Sequence, residues 1–279
     1  MQLTQDQVKG RIKTIAKTNN ADARVLMRIF MMERFLERVS ESRYADTFII
    51  KGGILVTSMI GVAMRSTMDV DASVKNINLS EEDVLPIIRD ICDIDLGDGI
   101  SFLIKDSSRI MDEMEYPGLR FTMDAFLGEM VTPIKIDIST GDIITPGAVR
   151  YEYKLMLEDR SISLWSYNLE TILAEKLQTI LARGLFNTRM RDYYDVFALM
   201  TCYANRIDTD VLHQAFTATC EKRATLKLLS EKSMILDELK KDAHIQKLWS
   251  DYQRKYDYAS EIEFSEVMVK VERLLRDFT

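Results

Sequence analysis

The apolar pattern of this chain changes character near residue 160. Before it, short β-leaning runs stand among turns and helical stretches: Thr47–Ile50, Met68–Val74, Ile100–Ile104, Leu119–Phe126 and Ile134–Ile138. After it, apolar residues recur at three- and four-residue spacing with little interruption. That spacing predicts helices over 169–184, 189–204, 209–222, 225–241, 244–257 and 261–277. Periods of two and of 3.6 residues bury different kinds of face, so the switch constrains the chain to an α+β, bilobed architecture. The expected division is a mixed-sheet domain over 1–160 and an all-helical bundle over 161–279. Residues 1–45 read as two helices packed on the sheet domain, with Asn20 as N-cap of the second. Residues 54–64 read as a short buried helix. Ser80 opens another helix with Asp83 in the capping position, and Ser260/Glu263 reads as a capping box. DLGDG at 95–99 and YPG at 116–118 read as turns.

Charge and rare residues narrow the function classes. The 279 residues carry a net charge of −7, so no global basic field recruits nucleic acid. With two histidines, His213 and His244, histidine triads and multi-histidine metal sites are poor readings. Cys92, Cys202 and Cys220 form no CxxC pair and read as reduced thiols of a cytoplasmic protein. The amphipathic N-terminus is too polar for a signal peptide, and no apolar run approaches the roughly 20 residues of a membrane span.

Three groups of residues could carry chemistry. Asp69 and Asp71 are two apart on an expected strand, so both carboxylates share one face while Met68, Val70 and Ala72 face the core. Paired carboxylates suit a hard cation such as Mg²⁺. Two other DxD pairs have plainer readings: Asp93/Asp95 follow a helix end, and Asp208 reads as an N-cap. Ahead of the first pair comes strand, glycine turn and helix. Gly52-Gly53 at a helix N-terminus admits a phosphate to backbone N–H groups, or else merely makes a tight turn. Arg65, Ser66 and Thr67 could add phosphate contacts. In IKIDI, the alternating isoleucines leave Asp137 on the opposite face as a third acid. In the helical half, Lys176 lies near Glu175, Arg183, Arg189, Arg191, Asp192 and Asp195, a set that equally reads as surface ion pairs.

In this order (KGG, RSTMDVD, IDI, EKL and RDYYD) the motifs resemble the AbiEii/AbiGii toxin family of the nucleotidyltransferase superfamily, which includes the MenT-type toxins. The resemblance spans about residues 45–200. It implies a Mg²⁺-dependent enzyme that transfers a nucleotide from GTP or a pyrimidine NTP. Gly52 and Gly53 would line the phosphates, Asp69, Asp71 and Asp137 would be the metal-binding acids for Mg²⁺, and Asp137 would also be the base for an incoming hydroxyl. Lys176 would hold the triphosphate, and Asp192 or Asp195 would complete the site. It further implies the toxic half of a toxin–antitoxin system used in abortive phage infection, acting on a tRNA 3′ end or other RNA and countered by an AbiEi-like antitoxin. A protein-modifying nucleotidyltransferase, a kinase and a non-catalytic nucleotide-binding regulator are the rival classes.

Overall fold

A computed structural model describes residues 3–110 and 118–276. The chain divides into two compact units, Met1–Asp142 with Ala148–Tyr167, and Ile143–Gly147 with Asn168–Thr279. The first opens with α1 (Gln5–Thr18) and α2 (Ala23–Glu41). It continues through β1 (Phe48–Lys51), α3 (Gly52–Ile60), β2 (Val70–Val74), α4 (Glu81–Cys92), β3 (Ile100–Ile110), β4 (Gly118–Leu127), β5 (Met130–Thr140), β6 (Val149–Lys154) and β7 (Ser161–Ser166). Among the described residues these strands form one seven-stranded sheet in the order β3-β4-β5-β2-β1-β7-β6. The pairs β2–β5 and β1–β7 are parallel, and the others antiparallel. One face of β4 and β5 is largely apolar: Leu119, Phe121, Met123, Ile134, Ile136 and Ile138 are buried.

The second unit holds α5 (Leu169–Arg183), α6 (Met190–Tyr203), α7 (Thr209–Lys222), α8 (Leu228–Lys241), α9 (Ala243–Lys255) and α10 (Phe264–Leu275). Asn168 caps α5 by accepting the Thr171 N–H, and Asp208 caps α7 by accepting from Asp210 and Val211.

Several elements differ from the sequence reading. Residues 161–166 are a strand, because Ile162 and Leu164 turn inward at a period of two and β1 offers a parallel edge beside them. Asp22, not Asn20, caps α2; Asn20 sits in the left-handed region at φ 48°. Helix α3 starts at Gly52 and ends at Ile60, where Gly61 breaks it. Strand β2 starts at Val70, which leaves Asp69 just before the strand, not on a shared strand face with Asp71, and Met68 outside the sheet and exposed. Ser260 makes no capping box with Glu263. It sits beyond a 3-10 turn and donates to the Asp257 carbonyl instead. Ser80 does cap α4. Gly118 begins β4, while the rest of the expected YPG turn lies outside the described residues.

Helix α2 carries charge into the core. Glu33, Arg34, Glu37 and Arg38 are all buried along it. Arg38 forks onto Asp98 at 2.8 and 3.0 Å and donates to the Ile94 and Ile100 carbonyls. Both Glu33 oxygens accept the Met156 N–H, at 3.0 and 3.1 Å. These bonds tie the segments at 94–100 and around Met156 to the helix. Burial pushes the Glu33 carboxyl up to about 8, against the lowering effect of the Met156 bond and of Arg34. The folded state therefore binds this proton more tightly than the unfolded state, and stability falls as pH rises from about 4.5 through 8. Replacing Glu33 by Gln should flatten this fall, whose slope is at most about 1.4 kcal/mol per pH unit. Denaturant melts of both proteins between pH 5 and 9 check it; parallel curves would refute the assignment.

Candidate functional site

The KGG segment is where strand β1 becomes helix α3. Gly52 has φ +61°, a conformation that favours glycine. A Cβ on Gly52 would collide with the Asp71 carboxylate, and one on Gly53 with Thr67 Oγ1. The two glycines thus let the start of α3 close on β2 and its flanking loop. The Gly53 N–H donates to Asp71 Oδ2 at 3.1 Å, so an acid of the chain itself occupies this helix N-terminus.

The structure uses Arg65 and Thr67 differently from phosphate contacts. Arg65 is fully buried. Its Nη1 donates to the Gly53 carbonyl at 2.8 Å and to Thr57 Oγ1 at 3.1 Å, bracing the first turn of α3. Thr67 is buried and its hydroxyl donates to the Asp69 carbonyl. Ser66, between them, is half-buried.

Strand register places four charged residues in one row. Lys51 on β1 lies opposite Asp71 on β2, Asp71 opposite Asp137 on β5, and Asp137 opposite Arg120 on β4. Register partners share a face, so the row reads plus, minus, minus, plus. Each outer cation has an acid. Arg120 grips Asp137 through Nε–Oδ1 at 2.8 Å and Nη2–Oδ2 at 2.7 Å. Lys51 Nζ lies 2.7 Å from Oδ2 of the buried Asp142, which also accepts from Ser139 Oγ. Burial alone would raise the Asp142 carboxyl, but Lys51 and Ser139 hold it below the usual carboxylate range.

Asp71 is left with the repulsion. Desolvation first, then the charges of Asp137 and Asp69, push its carboxyl up to about 6, against the Gly53 bond and Lys51. Among the described residues no three His, Cys, Asp or Glu side chains are arranged to hold a metal ion by themselves. Of the expected trio, Asp137 is engaged by Arg120. Asp69 and Asp71 supply hard oxygen donors at a point of surplus negative charge, and that pair fits a divalent cation completed by phosphate or water oxygens. Sequence reasoning missed Lys51, Arg120 and Asp142. Lys51 was visible only as the first residue of the KGG turn, and the partners of the other two depend on long-range register.

The second unit gathers its own cluster. Lys176 on α5 reaches α6, with Nζ 3.0 Å from Asp192 Oδ1 and 2.6 Å from Asp195 Oδ2. Asp195 is completely buried, and Asp192 also meets Arg189 Nε at 3.0 Å. Arg191 turns to the Tyr256 ring, and Glu175 meets Arg223. The three residues Lys176, Asp192 and Asp195 are thus brought together as a buried triad rather than a set of surface pairs.

Two outcomes are expected. Ionised Asp71 opposes folding: its raised carboxyl means a penalty fully present above about pH 6 and absent below about pH 4. Asp71→Asn should therefore stabilise the metal-free protein by roughly 3 kcal/mol at neutral pH, and the gain should vanish in acid. Thermal melts with chelator present, at both ends of that range, test it. Lys176→Ala leaves two buried carboxylates without their ammonium and should destabilise the chain by about 3–5 kcal/mol. An unchanged denaturation midpoint would count against the triad.

The sequence was compared with known proteins. The family model described as nucleotidyl transferase AbiEii toxin, type IV TA system, matches residues 34–270. No curated protein matches the chain. Among solved structures, a Helicobacter pylori protein described as a nucleotidyltransferase aligns at 16% identity over 90% of this chain and 93% of its own, with a TM-score of 0.48. JHP933 from Helicobacter pylori aligns at 16% identity over 90% of each chain, also at 0.48. An antigenic nucleotidyltransferase-like protein from Paracoccidioides brasiliensis aligns at 14% identity over 72% of this chain and 91% of its own, at 0.37.

Proposed function

This chain belongs to the AbiEii nucleotidyltransferase toxin family of type IV toxin–antitoxin systems, and we propose that it transfers a nucleoside monophosphate from an NTP to an RNA, with the 3′ end of tRNA as acceptor. Membership makes the chain a nucleotidyltransferase, with an NTP as substrate and an antitoxin as counterpart. The choice among GTP and the pyrimidine NTPs, the RNA acceptor, an AbiEi-like antitoxin, a role in phage defence and action in the cytoplasm belong to the proposal. No described helix is long and apolar enough to cross a membrane.

One observation carries the reading: two carboxylates, Asp71 and Asp137, stand at the same level of neighbouring parallel strands, with Asp71 directly against the glycine start of α3. Like charges so placed serve folding poorly. They serve a reaction that assembles cations and polyanions. Asp69 and Asp71 would hold Mg²⁺, which when bound neutralises phosphate charge and stabilises the oxygens at the reacting phosphorus. The acceptor hydroxyl oxygen attacks the α-phosphorus, its proton passes to Asp137, and the bond from the α-phosphorus to the bridging oxygen breaks to release pyrophosphate. Gly52 and Gly53, lacking side chains, let the start of α3 lie directly against the Asp71 carboxylate. By the family resemblance Lys176, held within the second unit by Asp192 and Asp195, would lend positive charge to the triphosphate. Ser66, half-buried in the loop before Asp69, would be the hydroxyl of that loop to contact a phosphate.

Incubation with each α- or γ-labelled NTP and total tRNA tests this reading. Label from the α position should appear on RNA. Label from the γ position would indicate a kinase, and label on protein a protein-modifying enzyme. No turnover with any NTP would indicate a binding regulator. Asp69→Asn should lower transfer by at least about 100-fold, since a lost metal ligand costs several kcal/mol of transition-state stabilisation. Asp93→Asn, at the exposed C-cap of α4, should leave the rate unchanged.

A further inference from the structure

Arg120 is absent from the motifs that mark the site, yet it makes the most complete polar contact there. It projects from β4 on the face opposite Leu119 and Phe121, at the register position facing Asp137. Its fork meets both Asp137 oxygens side-on, at 2.8 and 2.7 Å, with the carboxylate nearly inaccessible to solvent. Such a bidentate pair fixes the plane of the carboxylate and offsets its charge. Asp71, one strand further on, has a different arrangement: it accepts a single backbone N–H, from Gly53. The two central acids of the row are therefore unequal, one balanced by a guanidinium and one available to a cation.

We infer that Arg120 is a built-in counter-ion that withholds Asp137 from the cation site until an anionic phosphate of the nucleotide takes over the guanidinium. Arg120 is thus a positioning residue acting through Asp137, and this role rests on the metal-dependent reading given above. Without nucleotide, a divalent cation would meet Asp69 and Asp71 alone. When phosphate oxygens engage Arg120, Asp137 is released as a third carboxylate, so nucleotide and cation binding become mutually reinforcing. Triphosphate oxygens are suited to the exchange, because they accept the same planar fork that a carboxylate accepts.

The experiment is Mn²⁺ binding to the full chain without nucleotide, followed by loss of the free-ion electron paramagnetic resonance signal. Four proteins form a cycle: wild type, Asp137→Asn, Arg120→Gln and the double variant. In wild type, Asp137→Asn should change Mn²⁺ affinity by no more than about twofold. Arg120→Gln should tighten binding about tenfold, and Asp137→Asn in that background should remove the gain. A general loss of positive charge would instead give additive effects, with Asp137→Asn weakening binding equally in both backgrounds. That result would overturn the inference. Thermal melts establish that each variant is folded. Should Arg120→Gln fail to fold, Arg120→Lys replaces it, because an ammonium cannot span both oxygens and should give a smaller gain of the same sign. Asp69→Asn separates the two levels of the argument. If it leaves Mn²⁺ binding intact, the metal-site reading itself falls. If it abolishes binding while the cycle proves additive, only the role of Arg120 falls.

Discussion

Asp71 and Asp137 repel each other across one rung of a parallel strand pair, and the arrangement of the first unit around them contains that repulsion. Arg120 balances one end of the row. Lys51 stands at the other, anchored on Asp142, and the start of α3 turns a backbone N–H toward Asp71. The glycines follow from the same constraint, since any side chain on Gly52 would occupy the space of the Asp71 carboxylate. Arg65 then braces from behind, holding the Gly53 carbonyl so that the first turn of the helix keeps its place. Remove the need for acids at this level and none of these residues has an evident reason to be what it is.

The rest of the chain supports such a centre in two ways. In the sheet unit, α2 buries a line of charged residues whose bonds run to loop segments at 94–100 and 156–160. Buried ions specify partners more sharply than apolar contacts do, because an unpaired buried charge is costly. In the helical unit, the same logic holds Lys176 between two carboxylates of α6. Both units therefore place ionised groups where water is scarce, which raises their electrostatic influence and makes each group dependent on its partner. Stability and chemistry draw on the same residues, and improving one through Asp71 is expected to harm the other.

Much of this was legible in the sequence. Period and punctuation located nine of the ten α-helices among the described residues to within a few residues, since helices form from local spacing and caps such as Ser80, Asn168 and Asp208 announce their starts. The exception in kind was α3, whose glycine start was read as a turn preceding the helix rather than its first residues. Strands were harder. β6 and β7 went unseen because each is six residues long and buries few apolar side chains, Tyr153 on β6 and Ile162 and Leu164 on β7, and a strand of that kind is stabilised by its neighbours more than by its own residues.

The site divides along the same line. The sequence by itself determined which residues bear charge, that Asp69 and Asp71 stand two apart, that isoleucines drive Asp137 to the opposite face, and that paired glycines precede a helix. Those are properties of composition and local period. Only the tertiary structure decided that Asp71 and Asp137 are neighbours, that Arg120 holds Asp137, that Arg65 faces inward, and that Lys51 pairs with Asp142. Each of these depends on the register between strands distant in sequence or on the packing of a loop. Register is set by the sum of many apolar contacts across the sheet, and no single residue in the chain carries it.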